Sequence, residues 1–497
     1  MMMFWRASAL AGLALLTAAA PGTAVVSVDG GQIRGEPLAD RIAFRGVPFA
    51  APPVGALRWK PPVRVKPWTG VRDATRSAPA CAQLSDGWNQ ANAGYSAEDC
   101  LYLEVATPSL TPARPLPVLV WVHGGGNKAG GGVGTIASPM VRRGVVLVSI
   151  QYRLGALGFM AHPALTAESP FRASGNYGLM DQQAALAWVK RNIARFGGDP
   201  AQVTLGGQSA GAMDVGLLQV SPLAKGLFRR AIEESGTAGF GFPARDLRAS
   251  EAIGERLATL AGQPHATAAA LRALPVAALL EAARGITLPG LPEAGSPWVQ
   301  VTIDGHVITE PPAKTLARGG GQRVPLLIGT NAQEIDFYPD LASAHERLLL
   351  AFGANGAAAA RFYGFDRSEA PSADRLRGPV RMQIGTDIVF TCPTEFVAGM
   401  RQQSGTTVWR YDFTYQPGHS SELRHVFGNP GEDGIAADAP PLQAYWVNFI
   451  RSGDPNGADL TRWPAYGAAL QYLNLGAGMP VAGTGLRAEL CTHWSPP

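Results

Sequence analysis

The stretch Gly207-Gln208-Ser209-Ala210-Gly211 leaves this chain few architectures to choose from. It follows the β-prone run Val203 to Gly206 and opens into Ala212 to Val220, which can continue as a helix, so the order is strand, sharp turn, helix. A serine on so tight a turn takes strained backbone angles, and the flanking glycines let strand and helix approach without colliding Cβ atoms. Its hydroxyl then stands at the tip of the turn, within reach of a base. In a chain with 60 glycines such a pentapeptide carries little alone, and the weight falls on its surroundings.

Those surroundings repeat the same logic. Pro117 to Trp121 is a short apolar run ending in His123-Gly124-Gly125-Gly126-Asn127, and Val145 to Ile150 is a second, β-branched run; both read as buried strands. Leu186, Val189, Ile193 and Phe196 recur at helical spacing, and this helix should stop at Gly197-Gly198-Asp199-Pro200, just before the strand Val203 to Gly206. Val324 to Ile328 is another strand candidate, with Gly329-Thr330-Asn331 as its turn. Trp409, Tyr411, Phe413 and Tyr415 alternate at period two and run into Pro417-Gly418-His419. Strand, helix, strand in succession is a βαβ unit, and its repetition predicts an α/β fold with a large, mainly parallel sheet flanked by helices. Functional loops of such sheets gather at the carboxyl ends of the strands. From about Gly236 to Gly321 the pattern turns Ala- and Leu-rich with Pro and Gly breaks, which reads as a helical insertion above the sheet.

The length, 497 residues, allows about three average domains, but no linker or repeat divides the chain, and residues 25–497 read as one domain. Apolar residues are 46% and charged residues 16% of the total, against a usual ~25% charged, as a large core requires. The net charge of +4 is spread without a basic stripe, so no nucleic-acid partner is expected. Residues 1–24 have the form of an export signal: Arg6, the apolar run Ala7 to Ala20, and a small-residue exit before cleavage after Ala24. That run is shorter than the ~20 residues that span a bilayer, so a secreted or periplasmic protein with no stable membrane anchor is expected. Cys81, Cys100, Cys392 and Cys491 are even in number, which in an exported chain favours disulfides with three possible connectivities. No C-x-x-C, H-E-x-x-H or Gly-Lys-Ser/Thr spacing occurs, so neither a metal nor a cofactor is expected.

A serine hydroxyl needs a base to act as a nucleophile at neutral pH, usually a histidine held by a carboxylate. With an elbow of this kind the chain order is serine, acid, histidine. His123 and His162 precede Ser209 and fall away. Of the rest, His419 directly follows a strand inside a Gly-Pro turn, with His425 its nearest competitor. Glu334 lies just beyond the strand end at Asn331, with Asp336 and Asp340 slightly further on. An oxyanion needs N–H donors, and the glycine run after Trp121 is the expected source, with Gly125, Gly126 and Ala210 as candidates.

At this point the chain resembles the type-B carboxylesterases, the family that includes cholinesterases and secreted lipases. The likeness runs through Gly46-Val47-Pro48-Phe49-Ala50 with Leu57-Arg58-Trp59, Glu98-Asp99-Cys100-Leu101-Tyr102-Leu103, the glycine run, Tyr152-Arg153-Leu154-Gly155, the stretch Asn176 to Pro200, Gly329-Thr330-Asn331, and His419 with Glu422-Leu423 and Val426-Phe427-Gly428. It implies an α/β-hydrolase fold and hydrolysis of small-molecule carboxylic esters, with Ser209 as nucleophile, Glu334 as acid and His419 as base. Glutamate is the usual acid of the family, which favours Glu334 over Asp336. The resemblance also implies disulfides Cys81–Cys100 and Cys392–Cys491, and buried ion pairs Arg58–Glu98 and Arg153–Asp181. Two positions depart from the family's habit: Gln208 stands where glutamate is common, and Asp214 where a small residue such as serine is usual. Trp88, inside the Cys81 to Cys100 loop, is either a gorge-lining or a surface aromatic. Beside a general carboxylesterase, the sequence admits a hydrolase of specialised polar or aromatic esters, and a non-catalytic binding protein on the same fold; the complete constellation speaks against the last.

Overall fold

The computed structural model describes residues 24–238, 244–287, 301–368, 371–432 and 434–496. The proposed export signal therefore lies, but for Ala24, outside the described residues.

Eleven strands form the central sheet. In chain order they are β1 (Glu36–Pro37), β2 (Ile42–Pro48), β3 (Tyr102–Thr107), β4 (Leu116–Val122), β5 (Val146–Ile150), β6 (Gly198–Gln208), β7 (Arg230–Glu234), β8 (Leu326–Asn331), β9 (Val408–Phe413), β10 (Gln471–Leu475) and β11 (Val481–Thr484). Across the sheet they run β11-β10-β9-β8-β7-β6-β4-β5-β3-β2-β1. From β10 to β5 every neighbour is parallel, while β3, β2, β1 and the opposite edge strand β11 pair antiparallel. The large, mainly parallel sheet expected from the βαβ pattern is the one found, with antiparallel edges that the pattern did not foretell.

The parallel strands are apolar on both faces because both faces are covered. In β4, Val118, Val120 and Val122 join the core on one side, which includes Leu186 and Val189 of helix α1 (Tyr177–Asn192). Leu119 and Trp121 join the other, with Tyr445, Trp446 and Phe449 of a late helix, Leu442–Ser452. Helix α1 passes into a 3₁₀ turn, Ile193–Phe196, and stops at Gly197 with φ 77°, where a side chain is disfavoured.

The expected strand boundaries shift most at three places. The strand before Ser209 starts at Gly198, not Val203, so it takes in Gly198-Asp199-Pro200, expected only as a helix stop, and it runs on to Gln208. Gly329-Thr330-Asn331, read as a turn, completes β8, because Gly329, Thr330 and Asn331 pair with Tyr411, Asp412 and Phe413. Tyr415 continues the period-two pattern in sequence but falls beyond the end of β9. Among the described residues between β7 and β8 lie helices Leu247–Leu260, Ala268–Ala273, Val276–Arg284 and Pro312–Ala317, plus a two-stranded pair, Arg245–Asp246 with Thr302–Ile303.

Both disulfides are formed, Cys81–Cys100 and Cys392–Cys491. Both buried ion pairs implied by the resemblance are present: Arg153 Nε lies 2.7 Å from Asp181 Oδ2, and Arg58 Nη2 donates to Glu98 Oε2 at 2.8 Å.

Candidate active site

The parallel register sets the ends of β4, β6, β7, β8 and β9 side by side, with Val122 beside Gly207, Gln208 beside Glu234 and Asn331 beside Phe413. The loops that leave these ends carry every candidate residue.

Ser209 follows β6 and is the cap of helix α2 (Ala210–Val220), with φ 59° and ψ −128°. Such angles cost a non-glycine residue about 1–3 kcal/mol. They are held by the Ser209 N–H bond to the Glu234 carbonyl, 2.8 Å, and by contacts only glycine permits. A Cβ on Gly211 would stand 2.2 Å from the Val122 carbonyl oxygen, and one on Gly124 would stand 3.0 Å from Ser209 Cβ. The serine turn and the glycine loop after β4 are thus in contact.

Glu334 and His419 meet as the sequence order suggests. His419 Nδ1 lies 2.6 Å from Glu334 Oε2, and the other carboxylate oxygen accepts from the Asn331 N–H at 2.8 Å. A carboxylate only accepts, so Nδ1 carries the proton and Nε2 offers its lone pair. Burial lowers the His419 pKa, but the hydrogen bond and charge of Glu334, with the charge of Glu422, outweigh it and leave the imidazole above its usual value. The Asn331 amide holds the turn from beneath, donating to the Gly418 carbonyl at 3.0 Å and to Glu422 Oε2 at 2.5 Å. The competing candidates are engaged elsewhere. His425 packs on Phe413 and Tyr415, Asp336 pairs with Arg381 at 2.7 Å, and Asp340 caps a helix through the Ser343 N–H.

Gln208, the departure that the resemblance sets beside the histidine, is found there. Its Nε2 lies 3.3 Å from His419 Nε2, so the amide donates to the lone pair that a serine proton would use. Ser209 itself makes no hydrogen bond to His419 among the described residues; such bonds are often long in a free enzyme and tighten around substrate.

The glycine loop offers two donors. Gly125 has φ 115° and Gly126 φ 63°, and neither N–H has an acceptor among the described residues. The Ala210 N–H, first in its helix, has no intrahelical acceptor. Three further side chains shape this loop. Gln83, in the Cys81 to Cys100 segment, donates to the Gly130 carbonyl at 2.7 Å and accepts from the Gly130 N–H at 2.8 Å. Asn89 donates to Gln83 Oε1 at 2.9 Å. Asn127 bonds to Asp214 on α2 at 3.0 Å. Buried amides spaced far apart along the chain have no pattern by which sequence could pair them. Trp88 is 64% exposed and sets its ring edge 3.1 Å from where a Gly125 Cβ would be, so it is both a surface aromatic and a neighbour of the loop.

The chain is similar to known proteins over nearly its whole length. The sequence model of the carboxylesterase family matches residues 22–494. The chain is 36% identical over 469 residues to a fumonisin B1 esterase of Sphingopyxis macrogoltabida, covering 87% of this chain and 83% of that one. It is 33% identical over 532 residues to a liver carboxylesterase of Sus scrofa, covering 95% and 92%. Among solved structures, a carboxylesterase of Geobacillus stearothermophilus superposes with a TM-score of 0.80 at 30% identity, covering 95% of this chain and all of the other, 100%.

Proposed function

The chain belongs to the carboxylesterase family and is a carboxylic-ester hydrolase, and from that premise we propose that it is a serine esterase working through an acyl-enzyme. The observation that carries the reading is the 2.6 Å bond between His419 Nδ1 and Glu334 Oε2, at the strand ends that also carry the strained Ser209. The Ser209 oxygen attacks the ester carbonyl carbon while its proton passes to His419 Nε2. Glu334 stays ionised and steadies the imidazolium. The N–H groups of Gly125, Gly126 and Ala210 receive the oxyanion, where each donor is worth about 3 kcal/mol of barrier. When the tetrahedral species collapses, the C–O bond to the alcohol breaks and His419 returns its proton to the leaving oxygen. Water, deprotonated by the same nitrogen, then attacks the acyl carbon; the bond from that carbon to the Ser209 oxygen breaks, His419 returns the proton to that oxygen, and the acid leaves.

Residues 25–497 act as one domain after an export signal is removed behind Ala24. Two disulfides, and the lack of any helix long and apolar enough to span a membrane among the described residues, fit a secreted or periplasmic protein. The substrates are small-molecule esters. A specialised polar ester is a second reading, favoured by the 36% identity to a fumonisin B1 esterase. Hydrolysis of a panel of simple acyl esters and polar polyesters separates the two. Ser209→Ala should abolish turnover on every one of them with the fold intact; activity that survives this change would remove the serine mechanism.

A further inference from the structure

The oxyanion donors come from two separate pieces of chain, Gly125 and Gly126 on a loop and Ala210 on a helix. They serve one oxygen only if the two pieces keep their spacing to within about 0.5 Å. Asn127, the next residue after the glycines, is fully buried and holds φ 56°, a left-handed conformation that asparagine tolerates better than most side chains but less well than glycine. Each polar atom of its side chain is engaged. Nδ2 donates to Asp214 Oδ1 at 3.0 Å, and Oδ1 lies 3.0 Å from the Tyr152 hydroxyl. Its carbonyl accepts from the Gly155 N–H at 2.7 Å. Asp214 sits on α2 five positions after Ser209, also fully buried, and its Oδ2 accepts from Gln182 of α1 at 2.5 Å.

We propose that the Asn127–Asp214 hydrogen bond is a positioning clamp that fixes the glycine loop to the nucleophile helix and so sets the gap between the two halves of the oxyanion hole. The inference rests on the serine mechanism given above. Structurally the carboxyl is a cost. No cation pairs with it among the described residues, and burial raises its pKa to about 7 against the opposing pull of Asn127 and Gln182. The titratable group facing it is the Tyr152 phenol, itself raised by burial and by the Asp214 charge. Asp214→Asn offers a conservative control. Gln182 Oε1 is buried without a partner, so its amide can turn over and accept from the new carboxamide, whose oxygen still accepts from Asn127.

The test compares Asp214→Ala, Asn127→Gly, their combination and Asp214→Asn, reading kcat and KM for p-nitrophenyl acetate and the inhibition constant of a trifluoromethyl ketone, whose adduct oxyanion fills the hole. Asn127→Gly breaks the clamp while relieving the left-handed strain, so one unclamped variant keeps a comfortable backbone. Each unclamped variant should lose about 100-fold in kcat, as ~1 Å of misplacement costs, with KM changed less than about threefold, and the ketone should weaken in parallel. The double variant should be no worse than the singles, and Asp214→Asn should recover kcat to within about threefold of wild type. Wild-type kcat in Asn127→Gly, a loss confined to KM, or Asp214→Asn as poor as Asp214→Ala would each overturn the clamp. Labelling of Ser209 by a fluorophosphonate, with Ser209→Ala as control, is read separately. If wild type is not labelled, the serine mechanism fails and not the clamp alone.

Discussion

In the serine mechanism we propose, His419 is a base only while neutral, and its environment sets when that is. Burial works against the charged form, but Glu334 and, at longer range, Glu422 favour it more strongly, so the pKa stands above 6.5. The rate should therefore rise with pH through a midpoint above 6.5, because the protonated fraction falls as pH passes the raised value. A flat kcat/KM between mildly acid and mildly alkaline pH would contradict that role. Gln208 supplies a sharper test. It is neutral and 3.3 Å from Nε2; Gln208→Glu places a negative charge there and should move the midpoint up by about one unit. A midpoint that stays put or falls would show that this side chain does not face the base.

At the level of the element, helix α2 lies as close to β4 as it does because position 211 has no side chain. A Cβ there would meet the Val122 and His123 carbonyl oxygens at 2.2 and 2.8 Å, which are backbone atoms unable to step aside. Gly211→Ala must lift α2 away from β4, at a cost of about 1–3 kcal/mol, and carry the Ala210 N–H away from the glycine loop. Chemical denaturation should show that loss together with a fall in kcat; a variant equal to wild type in both would mean the helix does not rely on this approach.

Across the whole molecule the two disulfides divide the labour. Cys392 and Cys491 are 99 positions apart, Cys81 and Cys100 only 19. Loop-closure entropy assigns about 4.7 kcal/mol to a loop near the longer length and about 3 kcal/mol to the shorter. The short loop, however, carries Gln83, which grips Gly130 at both backbone atoms. Replacing Cys392 and Cys491 by serine should therefore lower stability more, and replacing Cys81 and Cys100 should lower kcat more at a temperature where both variants are folded. Equal kcat losses in the two pairs would separate the short loop from the active site. Much of this was legible in the chain itself. Local order determined the strand, turn and helix around Ser209, and it placed Glu334 and His419 just past strand ends, because apolar runs and glycine turns are properties of neighbouring residues. Residues 329–331 have the sequence of a turn and the pairing of a strand, because a glycine that pairs within a sheet looks, in sequence, like a glycine in a turn. Only the tertiary structure decided that the Gln208 amide points at His419 Nε2, that Gln83 holds Gly130, and that Asn127 meets Asp214. Those contacts join residues as much as 211 positions apart, and a buried amide's partner is chosen by the packing of whole elements, which leaves no periodic trace in the chain.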